Sequence, residues 1–246
     1  MKLSFSLMTF IITLFMVHAA FAGTIKDNFD DGTLADFWVT LPDIFEGDAT
    51  LIEFTDNDEH DGRLNYTLEV GKYKILWIDE PISGDFEVSI EYYGYEPGIH
   101  TGSNIEIKLR NADNPGVSTF ARLGIESGGS KIMLGGMEDG TWIVNSASGN
   151  WSSPDGKARL IKTGDKLTAI VWDGDEELVI ASEYTFGYDP VYVFLRTTSW
   201  GNAPVPDISL DNFELTGDGV PNIGAAVTAK DKLPDTWASI KTSVQR

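Results

Sequence analysis

The sequence predicts an all-β protein, a sandwich of two antiparallel sheets. Three observations predict it. Apolar and polar residues alternate with a period of two in segment after segment, which sends one set of side chains to a core and the other outward. The segments are separated by Gly, Asp, Asn and Pro, the residues of turns. Helical spacing of apolar residues is almost absent.

The elements follow in order. Thr24–Phe29 places Ile25 between Thr24 and Lys26, and Ala49–Thr55 carries Leu51, Ile52 and Phe54. Arg63–Val70 sets Leu64, Tyr66, Leu68 and Val70 against Arg63, Asn65, Thr67 and Glu69. Tyr73–Ile78 is a short, mostly apolar run. Asp85–Tyr93 is the clearest strand: Phe86, Val88, Ile90 and Tyr92 alternate with Glu87, Ser89 and Glu91. Asn104–Arg110 alternates Ile105, Ile107 and Leu109 with charged residues, and Ser118–Glu126 does so with Leu123 and Ile125 around Arg122. Lys131–Leu134 and Trp142–Asn145 are short apolar strands. Ala158–Thr163, Lys166–Trp172 and Glu177–Glu183 are linked by turns at Gly164-Asp165 and at Asp173-Gly174-Asp175, and Asp-Gly between strands is a hairpin signal. Val191–Thr197 and Ile208–Leu215 close the series. This many strands in antiparallel order pack as two sheets face to face.

Residues 1–22 read as an export signal. Lys2 is the positive start, Leu7 to Val17 is apolar apart from Thr9 and Thr13, and Ala20-Phe21-Ala22 is a small-x-small cleavage site. The apolar run is shorter than the roughly 18 residues a membrane span needs, and no later stretch approaches that length. The expected destination is periplasmic, extracellular or cell surface. Residues 23–217 form the sandwich, 218–233 a linker, and 234–246 a short helix or a frayed tail in which Trp237 and Ile240 share a face.

The chain has no cysteine, so thiol catalysis and Cys-bound zinc are excluded and the core, with or without a metal, must supply stability. Three histidines, His18, His60 and His100, lie far apart and argue against a His-based metal site or triad. The formal charge of −20 disfavours nucleic acid and anionic lipid as partners. It suits a neutral or cationic partner or a divalent cation, or it serves solubility alone.

Two segments bracket the domain: Asp27-Asn28-Phe29-Asp30-Asp31-Gly32-Thr33-Leu34, with Phe37-Trp38 after it, and Asp207-Ile208-Ser209-Leu210-Asp211-Asn212-Phe213-Glu214-Leu215. Together with the Asp85-Phe86-Glu87-Val88 strand, they resemble concanavalin A-like jelly rolls of secreted bacterial lectins and glucanases. Ala121-Arg122-Leu123-Gly124-Ile125-Glu126 and Lys131-Ile132-Met133-Leu134 are similar to the branch called regulation-of-enolase-1-like. The resemblance covers about residues 24–217 and implies fold more than activity. It also implies a structural calcium between the first and last strands, with Asp211 and Asp30, or a backbone carbonyl near Asp30, among its ligands. The alternative is two turn carboxylates in water. Asp56–Gly62 has the wrong pattern for an EF-hand loop and reads as an acidic turn.

Glycosidases of this fold need two carboxylates flanking the sugar bond, and the resemblance implies that in laminarinase-like members both come from one strand, in a Glu-x-Asp-x-x-Glu or Glu-x-Asp-x-Glu pattern. Neither pattern occurs. The nearest, Glu53-Phe54-Thr55-Asp56-Asn57-Asp58-Glu59, has the wrong spacing, and Asp173–Glu177 reads as a hairpin tip. A lectin-like carbohydrate binder is therefore the leading expectation, with no catalytic residue assigned. A glycoside hydrolase or lyase using carboxylates from different strands is the alternative, and a structural cell-surface module the third.

Sugars stack on aromatic rings and are held by planar polar groups. Among the seven tryptophans, Trp38, Trp77 and Trp172 sit in apolar surroundings and read as core. Trp142, Trp151 and Trp200 fall at turns or in polar segments and read as exposed platforms. Val191, Val193 and Leu195 form a core face, while Tyr192, Phe194 and Arg196 form the opposite face, expected to line a glycan-binding surface or to lie under a cover. Arg110 and Arg122 alternate against aliphatic residues and join Arg196 on that sheet. A shared arginine face suits an acidic or sulfated polysaccharide, against the grain of the overall charge.

Overall fold

The computed structural model describes residues 23–39, 51–55, 58–99, 102–114, 119–145, 151–199 and 205–221. The expected export signal, most of the linker, the tail with Trp237, and Trp200 lie outside them. Every named element is a strand. In chain order they are β1 (Gly23–Asp27), β2 (Trp38–Val39), β3 (Leu51–Glu53), β4 (Glu59–His60), β5 (Arg63–Leu68), β6 (Lys72–Ile78), β7 (Ser83–Tyr93) and β8 (Ser103–Asn111). Then come β9 (Phe120–Glu126), β10 (Lys131–Glu138), β11 (Thr141–Asn145), β12 (Gly156–Thr163), β13 (Lys166–Asp173), β14 (Glu176–Thr185), β15 (Val191–Ser199) and β16 (Val205–Gly219). No helix long and apolar enough to cross a membrane occurs among the described residues.

All fourteen expected strands have counterparts. The two additions, β2 and β4, are two residues long, too short for periodicity to reveal. The first sheet runs β14-β13-β12-β7-β16-β5-β4, with β1 also on β16. The second runs β11-β10-β9-β8-β15-β6-β2, with β3 also on β6. All pairs are antiparallel except β3 with β6. The last strand passes residue 217 and reaches Gly219, and Val220 beyond it is buried.

The core lies between the sheets. Leu64, Leu68, Val88, Ile90, Leu160, Val171 and Leu215 come from the first; Leu76, Ile107, Leu109, Leu123, Leu134, Val193 and Leu195 come from the second. A separate buried cluster, Tyr73, Ile75, Trp77 and Phe194, packs on the outer face of the second sheet. Trp77 thus belongs to that outer cluster rather than to the central core. Trp172 stands directly opposite Lys157 on the outer face of the first sheet, half-buried beneath Arg159.

The two hairpins expected at Gly164-Asp165 and Gly174-Asp175 are present between β12, β13 and β14. A third joins β4 to β5 through Asp61 (φ 55°) and Gly62 (φ 71°), the two positive φ values of a type I′ turn. Asp173 is more than a hairpin residue: it accepts hydrogen bonds from the Ser152 N–H at 2.8 Å, the Ser152 hydroxyl at 2.8 Å and the Ser153 N–H at 2.5 Å.

Candidate functional site

Register decides what the outer face of the second sheet displays. Side chains directly opposite one another on paired strands share a face. Tyr192, Arg110 and Phe120 are aligned across β15, β8 and β9, and Met137 and Trp142 continue the row on β10 and β11. The next row holds Trp77, Phe194, Lys108 and Arg122 and continues through Gly135 to Val144. The third holds Ile75, Arg196, Glu106 and Gly124.

Each of the four cations lies over a ring. The Lys108 ammonium is 3.6 Å from the Phe120 centroid, and the guanidinium carbons of Arg110, Arg122 and Arg196 are 5.3, 5.0 and 4.9 Å from Phe194, Trp142 and Tyr73. Such contacts fix a cation without cancelling its charge. Glu106 binds Arg122 by a short hydrogen-bonded ion pair and sits 3.7 Å from Arg196. Burial alone would raise its carboxyl, but the Arg122, Arg196 and Lys108 charges hold it below the usual carboxylate range. Burial, with the Arg196 and Arg110 charges, pushes the Lys108 ammonium well below its usual range against the pull of Glu106.

The expected site residues divide. Arg110, Arg122, Arg196, Tyr192 and Phe194 share this face, and Trp142 stands 50% exposed at its β11 edge. Arg110 and Phe194 are buried, while Tyr192 is half-buried against Trp77 at 4.7 Å between centroids. Trp151 does not form an exposed platform: it is 2% exposed, stacked on Tyr95 at 5.5 Å and 7°. A polar segment carries it inward, and its indole N–H donates to the Glu126 carbonyl at 3.2 Å. Sequence reasoning missed Lys108 and Glu106. The signal was available, since both alternate with Ile105, Ile107 and Leu109 exactly where Arg110 does not break the pattern. They read as solvent-facing, yet both are buried.

A second polar group gathers at the opening motif. Asp27 accepts hydrogen bonds from the Phe29 N–H at 2.9 Å, the Ala35 N–H at 3.3 Å and the Trp38 indole at 2.8 Å. Trp38 in turn packs edge-on against Phe213 of β16 at 4.6 Å. The two bracketing motifs therefore meet as a structural clasp, and β1 lies beside β16 from Asp27↔Phe213 to Gly23↔Gly217. An open cavity of about 540 Å³ lies here, lined in part by Asp27, Asp30, Asp31 and Asn212.

Asp30 accepts a hydrogen bond from the Asn28 amide, and its Oδ1 lies 2.7 Å from where a Cβ on Gly62 would stand. Asp211 is 3.9 Å from the Arg63 guanidinium. Burial raises its carboxyl, and the Glu91 and Asp30 charges add to this, while Asn212 and Arg63 oppose it. The donors here are hard oxygens of the type calcium takes, but two carboxylates fall short of its usual six to eight ligands, so backbone carbonyls would have to complete the shell. Among the described residues, no group of three or more His, Cys, Asp or Glu side chains is arranged to hold a metal.

Glu59, buried nearby, has its carboxyl pushed up to about 7 by burial and by the Asp27 and Asp31 charges. Between its ordinary value of 4.5 and about 7, the folded state holds a proton that the unfolded chain has lost. Stability is therefore expected to fall as pH rises through that window, by up to about 3 kcal/mol. Glu59→Gln should flatten the decline. Urea midpoints at pH 5 and pH 8 measure it; equal slopes in the variant and the parent would refute this origin.

No protein-family model and no curated protein matches this sequence. Solved structures do match the fold. A structure from work on endo-acting O-glycanases that prominent human gut microbiota express to initiate mucin breakdown aligns with a TM-score of 0.56 at 12% identity, covering 78% of this chain and 97% of that one. A LamA variant from Z. galactanivorans, in complex with laminaritriose and laminaritetraose, aligns with a TM-score of 0.56 at 10% identity, covering 79% and 98%. The Emp47p carbohydrate recognition domain aligns with a TM-score of 0.50 at 13% identity, covering 82% and 96%. At these identities the likeness is one of fold alone: a two-sheet jelly-roll sandwich.

Proposed function

We propose that this chain binds carbohydrate, as a lectin-like module, across the outer face of the second sheet. The observation that carries the reading is the aromatic and cationic strip from Tyr192 through Arg110, Lys108 and Arg122 to Trp142, which joins ring faces to planar N–H donors on one surface. Binding is favoured over hydrolysis because Glu106 stands among these cations without a second carboxylate on its strand to pair with. A hydrolase or lyase of the same fold is the competing reading, and release of reducing or unsaturated ends from a bound polysaccharide would establish it. The test of binding is a glycan-array profile of the full chain. A saturable signal that Trp142→Ala and Tyr192→Ala abolish is expected; a blank array would overturn the proposal.

On the same reading, the chain is exported through residues 1–22 to the periplasm, the cell surface or the medium. Its place in the regulation-of-enolase-1-like branch rests on the sequence motifs alone. We further propose a structural calcium held by Asp30, Asp211 and neighbouring carbonyls, where the clasp brings β1 and the bulge of β16 together. Addition of a chelator should then lower the melting temperature, and Asp211→Asn should remove that sensitivity. A melting temperature indifferent to chelator would eliminate the ion.

A further inference from the structure

We infer that the glycan is anionic, and that Arg122 and Arg196 hold its carboxylate or sulfate groups, with the charges of the buried Lys108 and Arg110 behind them. This rests on the proposed binding role of the same face and names the class of ligand.

The first argument is a contrast within the molecule. Elsewhere, most described basic side chains lie within 4.0 Å of a carboxylate, Lys72 and Lys131 being exceptions: Lys26 with Glu214, Arg63 with Asp211, Lys74 with Asp58, Lys157 with Glu91, Arg159 with Glu87 and Lys162 with Asp189. With 38 acidic residues against 18 basic ones, carboxylates are abundant. On this face the balance reverses. Among the described residues, Arg122 and Arg196 share the single carboxylate of Glu106, and Lys108 has an ion pair with none.

The second argument is burial. Cations that only keep a protein soluble stand in water. Lys108 is 2% exposed, and the side chains of Arg122 and Arg196 are 17% and 15% exposed. Lys108 and Arg122 also face one another directly across β8 and β9, an arrangement of like charges that destabilises a sheet. An arriving anion relieves this repulsion, so its binding is favoured by a cost already present in the free protein.

The third is geometry. The rings beneath the cations hold them in place before a ligand arrives. The guanidinium forks suit the paired oxygens of a carboxylate or sulfate.

The test uses the full chain and matched polysaccharides that differ only in charge: polygalacturonate against its methyl ester, and dextran sulfate against dextran. At least one charged member should bind about tenfold or more tighter than its neutral parent, with affinity falling as salt rises. The pair that responds tells carboxylate from sulfate. Lys108→Met should fold, since it removes a buried charge, and should lose about tenfold in affinity for the charged member. Arg196→Gln should weaken binding similarly and guards against an isolated defect of the first variant. Neutral and charged members binding equally would overturn this inference and leave the carbohydrate reading standing. No binding to any of the four, or to any neutral glycan, would overturn both. Polyglutamate bound as tightly as the charged glycans, and unaffected by Trp142→Ala, would overturn it in favour of an acidic peptide.

Discussion

Trp151→Ala is expected to lower the stability of the fold by about 3–5 kcal/mol, the range for removing a large buried aromatic side chain. The indole stacks on Tyr95, meets Tyr92 edge-on at 6.3 Å and donates to the Glu126 carbonyl. Its backbone N–H donates to the Ser130 carbonyl at 3.2 Å, so the residue ties the segment before β12 to the β9–β10 turn. Deletion would leave a cavity between two tyrosines and an unsatisfied carbonyl. Trp151→Phe keeps most of the packing and loses the N–H, for an expected cost of about 1–3 kcal/mol. Urea denaturation measures both. The folded fraction of either variant should still bind glycan, which separates a core role from a ligand platform. An unchanged midpoint in Trp151→Ala would refute the core role.

Glu106→Leu is the second large effect, at about 3–5 kcal/mol. The carboxylate is the shared partner of two guanidiniums and a close neighbour of the Lys108 ammonium. Removing it leaves several cations to repel one another at low exposure. The loss should not be additive with changes at its neighbours. Glu106→Leu combined with Lys108→Met should recover part of the stability, because the second change removes one of the charges the first leaves unpaired. A double-mutant cycle read by thermal unfolding measures the coupling. Independent effects would mean that water screens the charges from one another.

Much of the fold was legible because its strands carry the period of two unbroken. Asp85–Tyr93 and Asn104–Arg110 keep their apolar residues on the inner face as read. Asp-Gly and Gly-Asp turns located the hairpins around β13. The candidate site was legible only by half. Tyr192, Phe194 and Arg196 separate from Val191, Val193 and Leu195 by alternation alone, and the sequence orders them correctly. Burial on the outer face does not follow from alternation, because a polar position looks the same whether it meets water or another layer. That is why Lys108 and Glu106 read as solvated. Trp151 misled for the opposite reason: Ser152 beside it is exposed, while its own ring turns in. The bracketing motifs meet as a clasp in which Trp38 links Asp27 to Phe213.

The position of β16 bears on how the chain acquires its structure. Although it is the last strand among the described residues, it lies inside the first sheet, paired with β7 along one side and with β5 and β1 along the other. Its partners begin as early as Gly23, so the contacts it makes span nearly the whole domain. Loop closure over such separations is slow, and folding rates fall as the mean sequence separation of contacts grows. A growing chain can form the β12–β13–β14 hairpins from local contacts, but β1, β5 and β7 wait with open edges until residues 205–219 arrive. Until then those edges are templates for pairing with other chains. The interval before the final strand docks is thus the period of greatest vulnerability to aggregation, and truncation before Val205 leaves the sheet split rather than merely shortened.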